Sequence, residues 1–129
     1  MKMKKIVLLY NFTEDELAKV RRALLPLKFS VKSIGPESFA LPVGYLAGLT
    51  DEGSPVEEKT ESFGKLLVMG GFLNSDIDRL LAAMRKTGFS REVLKAVITP
   101  TNASWSGWQL YSEIRREHEV MTGKRPGSD

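Results

Sequence analysis

The sequence repeats its own pattern about sixty residues later, and this repeat constrains the fold more than any other feature. The segment that starts at Val7 reads VLLYNFTEDELAKV, and the segment that starts at Leu67 reads LVMGGFLNSDIDRL. At this offset Phe12 aligns with Phe72. Each copy is typical of an apolar strand, a turn that carries Phe, an amphipathic helix and a second strand. We therefore expect a duplicated β-α-β unit.

The apolar runs predict where the strands lie, but they leave the direction of pairing open. Ile6–Tyr10 and Leu66–Met69 are apolar throughout, as strands buried on both faces are. Phe29–Ile34 and Leu94–Thr99 alternate with polar residues, as edge strands do. We expect an α/β fold with a doubly wound parallel sheet in the order 2-1-3-4 and a C-terminal helix. The alternative is a ferredoxin-like α+β sandwich of two fused split β-α-β units, in which a homodimer could cover the free sheet face.

Capping residues predict where the helices begin. Thr13 and Glu16 have the spacing of a capping box, which starts the first long helix. Asn74 or Ser75 is expected to cap its counterpart, and a shorter helix is expected over Val43–Leu49. The apolar positions of these elements are expected to meet in one core. They are Leu8, Leu17, Leu24, Val68, Ile77, Leu80 and Ile98.

Length and composition indicate one globular domain. The chain has 129 residues, of which 42% are hydrophobic, and this is enough for a core without cross-links. We expect a single domain over residues 1–123 and a disordered tail over residues 124–129. Residues 50–64 are expected to form an acidic mobile loop, because the segment from Thr50 to Ser62 contains five acidic residues and one lysine.

Several classes of function lack the residues that they need. The chain has no Cys and a single His, so we expect no metal, no cofactor and no catalytic group. No apolar run approaches the roughly 18 residues of a membrane helix, so we expect no membrane partner. The net charge is +3, and the basic residues are scattered, which does not favour a nucleic-acid surface. The expected function is that of a cytoplasmic, non-catalytic binding or regulatory module.

Polar residues at the predicted strand ends are the candidate ligand site. In a parallel sheet the turns after the first, third and fourth strands lie at one edge, where ligands commonly bind. Their amides and hydroxyls, with the N-terminus of the last helix, suit a small anion such as phosphate. The candidate residues are Asn11, Gly70, Gly71, Thr99, Thr101 and Asn102. The alternative function is a small enzyme or nucleotide binder that uses this crevice, and each residue could instead serve its own turn.

Three aromatic residues are candidate contacts for a protein partner. Trp105 and Trp108 lie near the start of the last helix, and Tyr45 lies in the short helix between two glycines. Exposed aromatic side chains often anchor a partner. The same residues could equally cover one face of the sheet.

Four segments resemble a known family. The run LKAVITPTNASW from Leu94 and the run LVMGGF from Leu67 are similar to a bacterial family catalogued as domain of unknown function 3783. The runs VLLYNF from Val7 and GYLAGL from Gly44 are also similar to that family. The resemblance implies a bacterial cytosolic protein and transfers no catalytic residue or cofactor. Members of the family tend to have Ser after the Gly-Phe pair, where this chain has Leu73.

Overall fold

The computed structural model describes residues 4–56 and 63–123, with side chains up to residue 117 in the last helix. The expected tail over residues 124–129 lies outside the described residues, as do residues 57–62 of the expected acidic loop. The described residues form four strands, four helices and several short 3₁₀ turns. In chain order they are β1 (Ile6–Tyr10), α1 (Glu14–Leu24), β2 (Ser30–Ile34), α2 (Val43–Leu46), β3 (Leu66–Gly70), α3 (Asn74–Arg85), β4 (Leu94–Val97) and α4 (Gly107–Gly123).

The four strands form one mixed sheet in the order β2-β1-β3-β4, which confirms the predicted order. The pairs β1–β2 and β3–β4 are parallel, but β1 and β3 are antiparallel, centred on Leu8 and Val68. The prediction of an all-parallel sheet was therefore wrong. The ferredoxin-like alternative was also wrong, because the two strands of each unit are direct neighbours here rather than split. A strand that is apolar on both faces is buried equally well in either direction, so its pattern does not encode the direction.

The register of the central pair relates equivalent positions of the two units. Leu8 and Val68 are sixty positions apart, and β1 and β3, like α1 and α3, begin sixty positions apart. Ile6 pairs with Gly70, and Tyr10 pairs with Leu66, so adding sixty to one unit and subtracting it from the other reproduces the same pairs. This pairing is the one expected for an approximate two-fold axis through the centre of the sheet.

A second contact lies on the same axis, at an offset of 64 residues. β2 begins at Ser30 and β4 at Leu94, because the second unit has a longer connection before its last strand. An isolated antiparallel bridge joins Pro42 and Ser106, which are equivalent at this offset. The bridge precedes α2 in the first unit and α4 in the second. The two helices are therefore equivalent in position, although α2 has four residues and α4 has seventeen.

The sheet separates two cores rather than covering the single core that was predicted. On one face α1 and α3 contribute Leu17 and Leu80 to a buried cluster. On the other face α2 and α4 cover a cluster that contains Leu8 and Ile98. The prediction of one core was wrong because successive residues of a strand point to opposite faces of a sheet.

Four phenylalanine rings join the two units on the face of α1 and α3. The ring centroids of Phe12 and Phe89 are 6.2 Å apart, and those of Phe29 and Phe72 are 4.5 Å apart. Each pair takes one ring from each unit, and the sixty-residue offset exchanges one pair for the other. The two units therefore share their core instead of packing as separate bodies.

Two crossed ion pairs connect the strand of one unit to the helix of the other. Lys5, just before β1, contacts Asp76 in α3, with 2.9 Å between Nζ and Oδ2. Lys65, just before β3, contacts Glu16 in α1, with 3.3 Å between Nζ and Oε2. The Asp76 side chain is 2% exposed, and its Oδ2 also accepts the N–H of Leu73 at 2.8 Å. This backbone hydrogen bond, followed by the one from Lys5, lowers the pKa of Asp76 to about 2.

Asp76→Asn should lower the urea midpoint at pH 7. The pKa of Asp76 is lower in the folded chain than its ordinary value of 3.8, so its stabilisation is complete above about pH 4 and is lost as the pH falls towards 2. The gap between the wild type and Asp76→Asn should therefore close over this range. Asp78→Asn, at an exposed position of the same helix, is the control and should leave the midpoint unchanged. Equal midpoints for the wild type and Asp76→Asn at pH 7 would contradict this role.

Tyr10→Phe should stabilise the protein. The Tyr10 hydroxyl is buried without a hydrogen-bond partner among the described residues, and burial raises the pKa of this phenol. A buried unpaired polar group costs about 1–3 kcal/mol, so its removal should raise the free energy of unfolding by about 1 kcal/mol in urea titrations. Tyr45→Phe, at an exposed ring, should change nothing. A comparable loss of stability in Tyr10→Phe would mean that the hydroxyl has a partner in solution.

Candidate functional site

The antiparallel pairing separates Asn11 from the other five candidate ligand residues. β1 ends where β3 begins, so Asn11 lies at the opposite end of the sheet from Gly71. Its side-chain Nδ2 donates to the carbonyl oxygens of Phe63 and Gly64 at 2.9 and 3.1 Å. Asn11 also has a left-handed φ of 68°. It therefore serves as a turn residue that holds the segment entering β3, and the single crevice expected for a parallel sheet does not form.

Gly70 and Gly71 lie at the other end of the sheet, where close packing requires them. Gly71 has a φ of 76°, and a Cβ there would lie 2.5 Å from the carbonyl oxygen of Lys4. A Cβ on Gly70 would lie 3.2 Å from the side chains of Ile6 and Ile98. A side chain at Gly71 would therefore disturb the pairing of β1 with β3, whereas one at Gly70 would require only small shifts of the neighbouring side chains.

Thr99, Thr101 and Asn102 lie at the same end, in the turn after β4. The buried Asn102 accepts the N–H of Thr99 through Oδ1 at 2.9 Å and donates through Nδ2 to the carbonyl of Val97 at 3.1 Å. Its own N–H donates to the Thr99 hydroxyl at 3.2 Å. Thr101 is exposed at the tip of the turn. Asn102 therefore uses both polar atoms of its amide to close the turn.

The helix termini do not form the expected anion site either. α4 begins at Gly107, where a Cβ would collide with the ring of Tyr10, so its N-terminus is packed against the end of β1. α3 does begin beside Gly71, but the carboxylate of Asp76 already accepts a backbone N–H there. A bound phosphate would meet this negative charge.

Two adjoining open hollows lie at the end of the sheet where β3 and β4 finish. The first, which we call the apolar hollow, has a volume of about 420 Å³. The second, the lysine hollow, has a volume of about 840 Å³. Both are lined by Leu49 and Thr50, so the two hollows are adjacent, and we call them together the groove. The apolar hollow is further lined by Gly71, Phe72, Leu73, Ile98, Thr99, Pro100 and Ala103.

The lysine hollow combines two cations with an apolar floor. Lys4 and Lys32 line it beside Ile6, and Asp51 lies at its edge. The ring of Tyr45 is 42% exposed and also lines this hollow. The backbone of Gly53 packs on that ring, since a Cβ at Gly53 would lie 2.6 Å from it. Tyr45 is therefore part of the groove wall and lies against Gly53.

The two tryptophan candidates lie elsewhere. Trp105 packs partly buried against the core under α2 and α4, and Trp108 is half-buried in the first turn of α4. Neither residue lines the two hollows. Of the three aromatic residues that the sequence singled out for partner contacts, Tyr45 alone belongs to the groove.

Leu73 lines the apolar hollow, but it was not among the site residues predicted from the sequence. It occupies the N-cap position of α3, so the prediction of Asn74 or Ser75 as the cap was wrong. Its φ of −92° and ψ of 167° match those of Thr13 at the start of α1, but Thr13 accepts the N–H of Glu16 at 3.2 Å. Leu73 has no side-chain acceptor, and it is 63% exposed. The sequence feature that could have identified Leu73 is its replacement of the Ser that members of the similar family tend to have at this position.

The groove is suited to non-covalent binding. It offers apolar walls, two lysine ammonium groups and the hydroxyls of Thr50 and Thr99. Across residues 4–56 and 63–117, where side chains are described, no group of three or more histidine or acidic side chains is placed to hold a metal ion. Within residues 4–56 and 63–123, no helix has the length and apolar character needed to cross a membrane.

Among known proteins, one family is similar to the second half of the chain. Residues 65–121 match the family described as Domain of unknown function (DUF3783). This segment contains β3, α3, β4 and most of α4, and with them most residues of the apolar hollow. No curated protein and no solved structure matches the chain. Over residues 65–121 this protein is therefore similar to the family described as Domain of unknown function (DUF3783).

Proposed function

We propose that this protein is a non-catalytic binding module whose groove holds a segment of a partner protein. The observation that carries the proposal is that the two hollows are adjacent and share Leu49 and Thr50 in their linings. Exposed Leu73 borders one hollow and exposed Tyr45 the other. Large exposed apolar side chains around a groove mark places where a protein buries part of a partner.

The charge of the lysine hollow favours a partner segment with acidic side chains. Lys4 and Lys32 outnumber Asp51, so a carboxylate would gain from both ammonium groups. On this face β2 presents Ser30 and Lys32, whereas the equivalent positions of β4 are Leu94 and Ala96. The apolar positions of β4 lie under α4, and the polar positions of β2 remain open. The open face therefore suits a polar, acidic segment better than an apolar helix.

The alternative of a small anion or phosphate as ligand has less support. Both polar atoms of the Asn102 amide have partners in the turn, and the N-terminus of α3 has the carboxylate of Asp76. A groove open along its length would also enclose a small anion poorly, whereas an extended segment could contact both hollows at once.

We also propose that the two β-α-β units arose by duplication. Besides their equal spacing, they share left-handed residues at equivalent turns: Asn11 and Gly71 lie sixty positions apart, and so do Lys28 and Gly88. The bacterial cytosol, as the setting of the protein, is a proposal that rests on the family resemblance found in the sequence.

A display selection of random twelve-residue peptides on the immobilised full chain tests the groove. We expect the selected peptides to be acidic. On titration of a ¹⁵N-labelled sample, the shifted amides should be those of residues 45–51 and 98–103 rather than those of α1. Lys32→Glu should weaken binding roughly three- to tenfold, because one attraction becomes a repulsion. Lys19→Glu, at an exposed position of α1, is the matched control and should leave the affinity unchanged.

Two outcomes would overturn the proposed function. One is a selection that yields no peptide above background. The other is a set of peptides whose amide shifts map to the face of the sheet that α1 and α3 cover, or whose affinity falls equally in Lys32→Glu and Lys19→Glu.

A further inference from the structure

We infer that the partner segment binds in an extended conformation and adds a strand to the free edge of β2, an inference that rests on the groove proposed above. β2 is an edge strand of the sheet, and Ser30 at its start lies at the same end of the sheet as Gly70. Lys32 of β2 lines the lysine hollow. A segment that pairs with β2 would therefore run directly beside the groove.

The outer edge of β2 presents backbone groups that are not in use. Ser30 donates its N–H to the carbonyl of Lys5, in the direction of β1, at 3.0 Å. Because the backbone groups of successive residues in a strand point alternately to its two sides, the N–H groups of Val31 and Ser33 point away from β1. Among the described residues, neither N–H has a hydrogen-bond partner. Such unpaired groups are a template for the addition of a strand.

The opposite edge of the sheet, formed by β4, is used by the chain itself. Leu94 donates its N–H towards β3, so the carbonyls of Val93 and Val97 point away from β3. The Nδ2 of Asn102 donates to the carbonyl of Val97 at 3.1 Å. The ammonium group of Lys95 donates to the carbonyl of Val93 at 2.8 Å. β2 is therefore the edge that offers the better place for a partner.

Two cations flank the free edge of β2, one on each face of the sheet. Lys32 lies on the face of α2, where its Nζ is 3.4 Å from the carbonyl oxygen of Leu46. Arg21 of α1 lies on the other face, and its guanidinium is 3.5 Å from the carbonyl oxygen of Val31. Successive side chains of an added strand point to opposite faces. Two adjacent acidic residues in the partner segment would therefore meet Lys32 and Arg21 respectively.

The charge of β2 disfavours a second copy of the chain as the added strand. Antiparallel pairing of β2 with itself uses Val31 and Ser33 of both copies only when the two copies of Lys32 lie opposite each other. Like charges directly opposite each other destabilise a pair of strands. The edge of β4 in a second copy would already have partners in its own chain. An acidic segment of a different protein therefore fits the edge of β2 best.

A synthetic peptide of sequence STVDEVTS, blocked at both ends, tests the inference on the full chain. Its β-branched residues favour an extended conformation, and its adjacent carboxylates match the two flanking cations. In the free chain, the amide hydrogens of Val31 and Ser33 should exchange rapidly, because they have no partner. Saturation with the peptide should slow their exchange roughly tenfold. The amides of Lys95 and Val97 face outward on β4 and should keep their rates.

Methylation of the peptide nitrogens, one residue at a time, distinguishes an added strand from a segment that is held by charge alone. Each N-methyl group removes one backbone donor and leaves both carboxylates in place. Only every second N–H of an added strand points to β2. Methylation should therefore weaken binding about tenfold at alternate positions and change it little at the positions between them.

Substitutions in the chain test the same contacts from the other side. Ser33→Pro removes an outward N–H, which an edge strand tolerates, so the chain should stay folded by circular dichroism while the peptide binds about tenfold more weakly. Ser33→Ala keeps this N–H and is the matched control, with unchanged binding. Arg21→Gln should weaken binding about threefold. Arg22→Gln, at the next exposed position of α1, should have no effect.

Three results would overturn the inference. The first is slow exchange of the Val31 and Ser33 amides in the free chain, which would show that the edge is already occupied. If this protection appeared only at high protein concentration, it would assign the edge to a second copy. The second is an effect of N-methylation that does not alternate along the peptide. The third is failure of the peptide to bind, or equal binding to the unsubstituted chain and to Ser33→Pro.

These failures are distinct from failure of the binding function. If the peptides from the display selection still bind and Lys32→Glu still weakens them, the added strand is wrong while the groove remains a binding site. If the selection yields no peptide at all, both the added strand and the proposed function are wrong.

Discussion

The antiparallel pairing of β1 with β3 determines the rest of this structure. Each β-α-β unit has one exposed edge strand and one strand that needs a second neighbour, and the two units satisfy this need by pairing with each other. The pairing places the finishing ends of the two units at opposite ends of the sheet. It also brings α1 and α3 to the same face, where their apolar sides share one cluster. The positions of the ion pairs and of the groove both follow from this arrangement.

Much of the fold could be predicted from local patterns. The positions of the strands and their order follow from the pattern of apolar residues. The start of α1 follows from the capping box of Thr13 and Glu16, and its end follows from Pro26, which lacks the N–H that a helix needs. The direction of the central pairing could not be predicted, because Ile6–Tyr10 is buried on both faces and carries no sign of orientation. That single unknown is the reason why a parallel sheet was predicted where the sheet is mixed.

The candidate site was predictable only in part for the same reason. Gly71 and Thr99 were identified as strand-end residues, and both line the apolar hollow. Asn11 was assigned to the same place because the sheet was taken as parallel, and its amide instead binds the backbone of Phe63. Lys4 and Lys32 are ordinary residues in the sequence. Their proximity to the groove depends on which strands are neighbours, which no local pattern records.

The crossed ion pairs imply that the two units open together. Separation of β1 from β3 would leave the buried carboxylate of Asp76 without Lys5, and the part-exposed carboxylate of Glu16 without Lys65. The same Asp76 carboxylate accepts the N–H of Leu73 at the rim of the groove. Amide hydrogens in β1 should therefore exchange through the same cooperative opening as those in β3. A ligand seated beside α3 would then slow exchange in the first unit, which it does not need to touch.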